Sequence, residues 1–156
     1  MLTINEATAE FLSRKRIAVT GVSRTGQEHG ANTVFKRLRD RGYEVFAVNP
    51  NAAQVEGARS YRDLASIPGG VDAVVIGTAA DKAMGTMREC AELGITQVWM
   101  HRSYGPGSVD DAATAYGRER GITVIDGGCP LMFAPTADLG HKVMRLVCRG
   151  HVPKTV

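Results

Sequence analysis

The sequence predicts an α/β fold: a doubly wound, parallel, five-stranded sheet with helices on both faces and an extra helix at each end, all in one domain spanning residues 1–156. Three observations carry this expectation. Five short runs of β-branched and apolar residues, Ile17–Thr20, Tyr43–Val48, Asp72–Gly77, Thr96–His101 and Ile122–Ile125, recur at about the spacing of one β-α repeat. Their near-continuous apolarity is that of strands covered on both faces. Between them stand amphipathic helical stripes that end at glycines.

Each element has its own local signature. Thr3 with Glu6 three residues on has capping-box spacing, and Ala7, Phe11 and Leu12 follow at helical intervals. Arg14, Lys15 and Arg16 then form a solvated entry to the first strand. Ala31, Val34, Phe35 and Leu38 make a helical stripe closed by Gly42; Ala80, Ala83, Met84, Met87, Cys90 and Ala91 make another closed by Gly94. The connection from Asn51 to Gly70 is irregular, with one short helix expected near Arg62–Ser66. Ser108 with Asp111 opens an alanine-rich helix closed by Gly121, and Pro135 at a first helical position opens the last, through Leu139, Val143 and Leu146. Asp110, Asp111 and Asp138 read as charges favoured at helix N-termini.

Composition narrows the function classes. A chain of 156 residues, 44% hydrophobic and 22% charged, can build a core without disulfides. The net charge of +3 is spread along the chain without interleaved aromatics, which argues against nucleic acid as a partner. Cys90, Cys129 and Cys148 are widely spaced and lack a C-x-x-C, disfavouring a disulfide framework or a zinc finger; His29, His141 and His151 have no metal-ligand spacing, so no metal is expected. Glu6 and Glu10 interrupt the N-terminal stretch and no apolar run is long enough to span a membrane, so the expected setting is cytoplasmic, with free thiols. The 18 glycines exceed the usual share of roughly 7% and point to tight turns or backbone contacts with a ligand.

Ligands of such sheets bind outside the carboxyl ends of the strands. After the first strand comes Gly21-Val22-Ser23-Arg24-Thr25-Gly26, one step from G-x-G-x-x-G, with Gly30 beyond. Gly21 suits a tight turn, amides from Ser23 to Gly26 can face a pyrophosphate, and Ser23, Thr25 and Arg24 add donors and charge. The same residues also read as a plain glycine turn. The second strand ends Val48-Asn49-Pro50-Asn51, without the carboxylate that would take the ribose 2′-hydroxyl of NAD. Asn49 and Pro50 can support an adenosine or form an ordinary Asn-Pro turn. A response-regulator reading fails because the first and third strands end in Thr20-Gly21 and Gly77-Thr78, without aspartates.

The series IAVTGVS, LRDRGYEVFAVNP, VDAVVIGTA, TQVWMH and GITVIDGGCP resembles the small bacterial CoA-binding domain proteins, related to the N-terminal domain of the succinyl-CoA synthetase α subunit, from about Lys15 to Met132. The resemblance implies a Rossmann-type fold binding coenzyme A or an acyl-CoA. Gly21, Ser23, Arg24, Thr25 and Gly26 would hold the diphosphate, and Asn49 and Pro50 the adenosine; Thr78 and Ala79 would line the third strand's loop. Met100 and His101 would stand beside the ligand, and Cys129-Pro130 falls on the family's C-P pair. This chain departs from the family in three places. Asn51-Ala52-Ala53 replaces a lysine, leaving Arg24, Arg59 or Lys82 to supply charge; Trp99-Met100-His101 replaces W-x-Q; and a tail extends beyond Met132.

These readings favour a small-molecule nucleotide-binding module without catalysis of its own, since the related synthetases keep their phosphohistidine and acyl chemistry on a second domain. Two rivals stand beside it. One is an enzyme, either NADP-linked with Arg24 reading phosphate, or a CoA-thiol redox enzyme in which Cys129 pairs with His101. In that reading Gly127 and Gly128 form a second opening beside Cys129; the bland alternative is a small buried residue. The other rival is an interaction module that delivers CoA to a partner enzyme through the segment from Ala134 to Val156.

Overall fold

The chain enters its fold through α1 (Ile4–Leu12), whose Thr3 and Glu6 form the expected capping box. A computed structural model describes residues 1–25 and 30–156. In order follow β1 (Arg16–Thr20), α2 (Gly30–Asp40), β2 (Glu44–Val48), β3 (Gln54–Val55), β4 (Ala58–Tyr61), β5 (Ala73–Ile76), α3 (Ala80–Glu92), β6 (Gln97–Met100), α4 (Asp111–Glu119), β7 (Thr123–Asp126) and α5 (Leu139–Val147). The sheet order is β3-β4-β2-β1-β5-β6-β7. All pairings are parallel except the β3-β4 hairpin.

The α/β class and the five parallel strands expected from sequence are present, and the sheet has seven strands because β3 and β4 extend its β2 edge. Their turn is made by Glu56 (φ 49°) and Gly57 (φ 72°), both left-handed as a two-residue hairpin loop requires. In place of the helix expected at Arg62–Ser66 is a turn in which Asp63 Oδ1 accepts from the Ser66 amide at 2.8 Å. α4 is capped by Asp110, not by Ser108. α5 starts at Leu139 behind its cap Asp138, four residues after Pro135.

Strand alternation sorts the core into two layers. Ile17, Val19, Val75, Trp99 and Ile125 pack with α1 and α2 on one face. Ala18, Val74, Ile76, Val98, Met100 and Val124 pack with α3 and Ala113 of α4 on the other. Trp99 anchors the first layer, edge-on to Phe11 and Phe133 at 5.3 and 5.5 Å, with its indole N–H donating to Gly127 O at 2.9 Å. The tail returns to the start of the chain: Val156 N donates to Leu2 O at 3.0 Å and Ile4 N to Lys154 O at 3.0 Å. No helix among the described residues is long and apolar enough to cross a membrane.

Candidate functional site

The sheet order reverses direction between β1 and β5, since the chain moves from β1 outward to β2 but from β5 the opposite way to β6. Two clefts open there at the carboxyl ends of the strands and share Gly77, Thr78 and Ala79. The first, about 400 Å³, lies towards β2 between Gly21, Ser23, Asn49, Pro50 and Lys82. The second, about 520 Å³, lies towards β6 and is lined by Gly30, Thr33, His101, Tyr104 and Ser108. A groove of about 630 Å³ beside α5 shares no residue with these loops.

The floor between the clefts is built by close backbone approach. Gly21 takes φ +79°, and a Cβ there would collide with the Gly77 carbonyl. Thr20 Oγ1 accepts from the Gly77 amide at 3.2 Å, joining the ends of β1 and β5. The turn after Gly21 is held by Asn32, a fully buried residue of α2 that sequence reasoning missed. Its Oδ1 accepts from Ser23 N at 2.8 Å, while its Nδ2 donates to Ser23 O and Glu56 Oε1, both at 2.8 Å. Its burial beside Ala31, Val34 and Phe35 accounts for these bonds, because buried polar groups are almost always hydrogen-bonded, and its position next to the helical stripe carried no signal of this role in the sequence.

Asn49 performs a similar task. Its Nδ2 donates to Val22 O at 2.9 Å and its Oδ1 accepts from Asn51 N at 2.8 Å, so the amide ties the loop after β2 to the turn after β1. Pro50 lines the first cleft beside it. Ser23 Oγ and Thr25 Oγ1 lie 3.1 Å apart, and Arg24 and Thr25 are exposed. Gly26 lies outside the described residues. Lys82 is the one cation lining the first cleft among the described residues. α3 begins at this shared segment, and its cap residue Ala79 supplies no side-chain hydrogen bond, unlike the caps of α1, α4 and α5.

Four expected site residues, Arg24, Thr25, Met100 and Cys129, line neither cleft, and the last two lie in the core. Met100 is fully buried in the layer under α3 and α4, because strand parity turns it away from the strand-end loops, and it lines neither cleft. Cys129 is 2% exposed in the opposite layer and also lines neither cleft. Burial pushes its thiol up to about 12, and the nearby charge of Asp138 acts in the same direction. The opening expected at Gly127-Gly128 is filled by the tail. Gly128 N donates to His151 O at 2.8 Å, and a Cβ on Gly127 would run into that same carbonyl.

His101 does reach the site. It lines the second cleft, and its Cε1 lies so close to Gly30 that a Cβ there would stand 2.7 Å away. Burial, with a smaller contribution from His141, pushes its pKa down to about 4, so the imidazole is neutral at pH 7. Ser108 Oγ donates to Thr78 O and pins the shared segment to the loop after β6. Among the described residues no cluster of three or more His, Cys, Asp or Glu is placed to hold a metal.

Comparison with known proteins places the chain among relatives of the same fold. The chain is 31% identical over 121 residues to the Bacillus subtilis protein YneT, covering 77% of this chain and 86% of that one. It is 34% identical over 89 residues to the α subunit of the ADP-forming acetate–CoA ligase II of Pyrococcus furiosus, covering 56% of this chain but only 19% of the ligase subunit. Among solved structures, PH1109 protein redesigned for binding superposes with a TM-score of 0.77 at 25% identity, covering 89% of this chain and 96% of that one. The model of the CoA binding domain matches residues 15–135, and the chain belongs to that family.

Proposed function

We propose that this protein binds coenzyme A or an acyl-CoA at the paired clefts, through the turn after β1, without catalysing a reaction on its own. The observation that carries this reading is the close backbone contact of Gly21 with Gly77 at the switch point, which draws the ends of β1 and β5 together where the two clefts meet. The adenosine lies against Pro50 in the first cleft. The diphosphate meets the turn from Ser23 to Thr25, and Lys82 supplies the charge that the missing lysine after Asn49-Pro50 would have given. The uncapped start of α3 adds amides that favour an anion. The lack of a ribose carboxylate after β2 keeps NAD behind CoA.

Thermal shift with CoA, acetyl-CoA, 3′-dephospho-CoA, NAD and NADP tests the reading. A ligand specific for the folded state stabilises by about 2.7 kcal/mol at a hundredfold excess over Kd. CoA and acetyl-CoA are expected to shift the transition, and NAD and NADP are not. A shift with NADP and none with CoA overturns the assignment.

We infer a second role from α5, where Leu139, Val143, Leu146 and Val147 are all more than half exposed. Such a stripe fits delivery of the bound ligand to a partner enzyme. Sedimentation of the chain with an ADP-forming acyl-CoA ligase, compared with a Leu146→Asp variant, tests it: co-sedimentation lost in the variant is expected.

A further inference from the structure

The second cleft differs chemically from the first. Its walls are His101, Tyr104, Thr33 and Ser108 with small residues between them, and it continues from the first cleft across Gly77-Thr78-Ala79. A ligand whose nucleotide end lies against Pro50 therefore has a path for its far end past Thr78 to His101. Two polar side chains, His101 and Thr78, line that path. The His101 ring makes no hydrogen bond to any described residue, and the neutral imidazole offers one N–H and one lone pair. The Thr78 hydroxyl is buried and equally without a partner among the described residues. Buried polar groups are nearly always satisfied, so the unmet Thr78 hydroxyl, in the segment that also lines the cleft with His101, marks a place where a ligand can supply the match.

The thiol of free CoA matches them poorly, because S–H is a weak donor and sulfur a weak acceptor. A thioester carbonyl is a full acceptor. Among the described residues, the acyl group beyond it would meet Gly, Ala, Ser, Thr and Tyr and no Leu, Ile, Val or Phe, so these walls suit a short chain and give a long fatty tail no apolar channel. Resting on the CoA reading above, we propose that the second cleft is a thioester subsite in which His101 donates a hydrogen bond to the acyl carbonyl, making short-chain acyl-CoA the preferred ligand over free CoA.

Calorimetric titration of the full chain with CoA, acetyl-CoA, S-ethyl-CoA and palmitoyl-CoA tests this. S-ethyl-CoA matches acetyl-CoA in size but has no carbonyl. Acetyl-CoA is expected to bind about tenfold more tightly than S-ethyl-CoA or CoA, the scale of one hydrogen bond. Palmitoyl-CoA is expected to gain nothing over acetyl-CoA. His101→Leu should abolish the preference for acetyl-CoA over S-ethyl-CoA, and His101→Gln, which keeps an N–H donor, should retain part of it. Equal affinity of the wild-type chain for acetyl-CoA and S-ethyl-CoA overturns the subsite while leaving CoA binding intact. Failure of all four ligands to bind overturns the CoA reading and the subsite together.

Discussion

Gly21 turns at φ +79° directly against Gly77, so neither position tolerates a side chain: a Cβ on Gly77 would stand 2.6 Å from both Ala31 Cβ and Thr20 O. The ends of β1 and β5 are thereby drawn together at the point where the two clefts meet. Alanine at position 21 would incur left-handed strain of about 1–2 kcal/mol and, in addition, a collision with the Gly77 carbonyl. Gly21→Ala is expected to lose more than about 2 kcal/mol of stability in urea unfolding, followed by the fluorescence of the single tryptophan, and to lose CoA binding. A folded variant with unchanged CoA affinity would move the ligand away from this turn.

Lys82 is exposed on the first turn of α3 and lines the first cleft, so its attraction for a phosphate acts through solvent. Screening then sets the size of the effect. Lys82→Ala should weaken CoA binding by about fivefold at low salt and by much less near 1 M salt, as measured by titration calorimetry. A loss that does not change with salt would mean that the side chain packs against the ligand instead of attracting its charge.

The parallel strands were legible because each is an apolar run bounded by clear stops. The capping box at Thr3 and Glu6 was equally readable, since it involves residues three apart. The edge hairpin was not: β3 has two residues and β4 reads Ala-Arg-Ser-Tyr, without an apolar run, so pairing to β2 supplies what local propensity lacks. In the site, Gly21 and His101 carried local signals, whereas Asn32 serves Ser23 from nine positions away and looks like any polar residue of a helix. Gly127 and Gly128 looked like an opening for a ligand. The sequence around them held no sign that His151 of the tail would return to fill it.

Cys129 offers a clean test of the redox alternative. Cys90, Cys129 and Cys148 are all buried, and burial raises both Cys90 and Cys129 to about 12, leaving almost no thiolate to attack a disulfide at pH 7. The native protein is expected to give no mass adduct with CoA disulfide and to react with a thiol reagent only after urea is added. Cys129→Ser should bind CoA as the wild type does. Rapid labelling of Cys129 in the native state would restore the redox reading.

His101 couples stability to pH. Its folded pKa of about 4 lies below the ordinary 6.5, so between these values the unfolded chain binds a proton that the folded chain does not. Its contribution is therefore fully present above pH 6.5 and is lost as pH falls towards 4, on the order of 3 kcal/mol across the window. Asp138 acts in a lower range. Hydrogen bonds from the His141 backbone and ring hold its carboxyl below 3.8, so its contribution persists until the solution is more acidic still. Urea unfolding at pH 7, 5.5 and 4.5 should thus show a decline in the wild type that is much reduced in His101→Gln, whose amide does not titrate. If the two proteins decline in parallel, the imidazole is solvated and does not lie neutral within the second cleft.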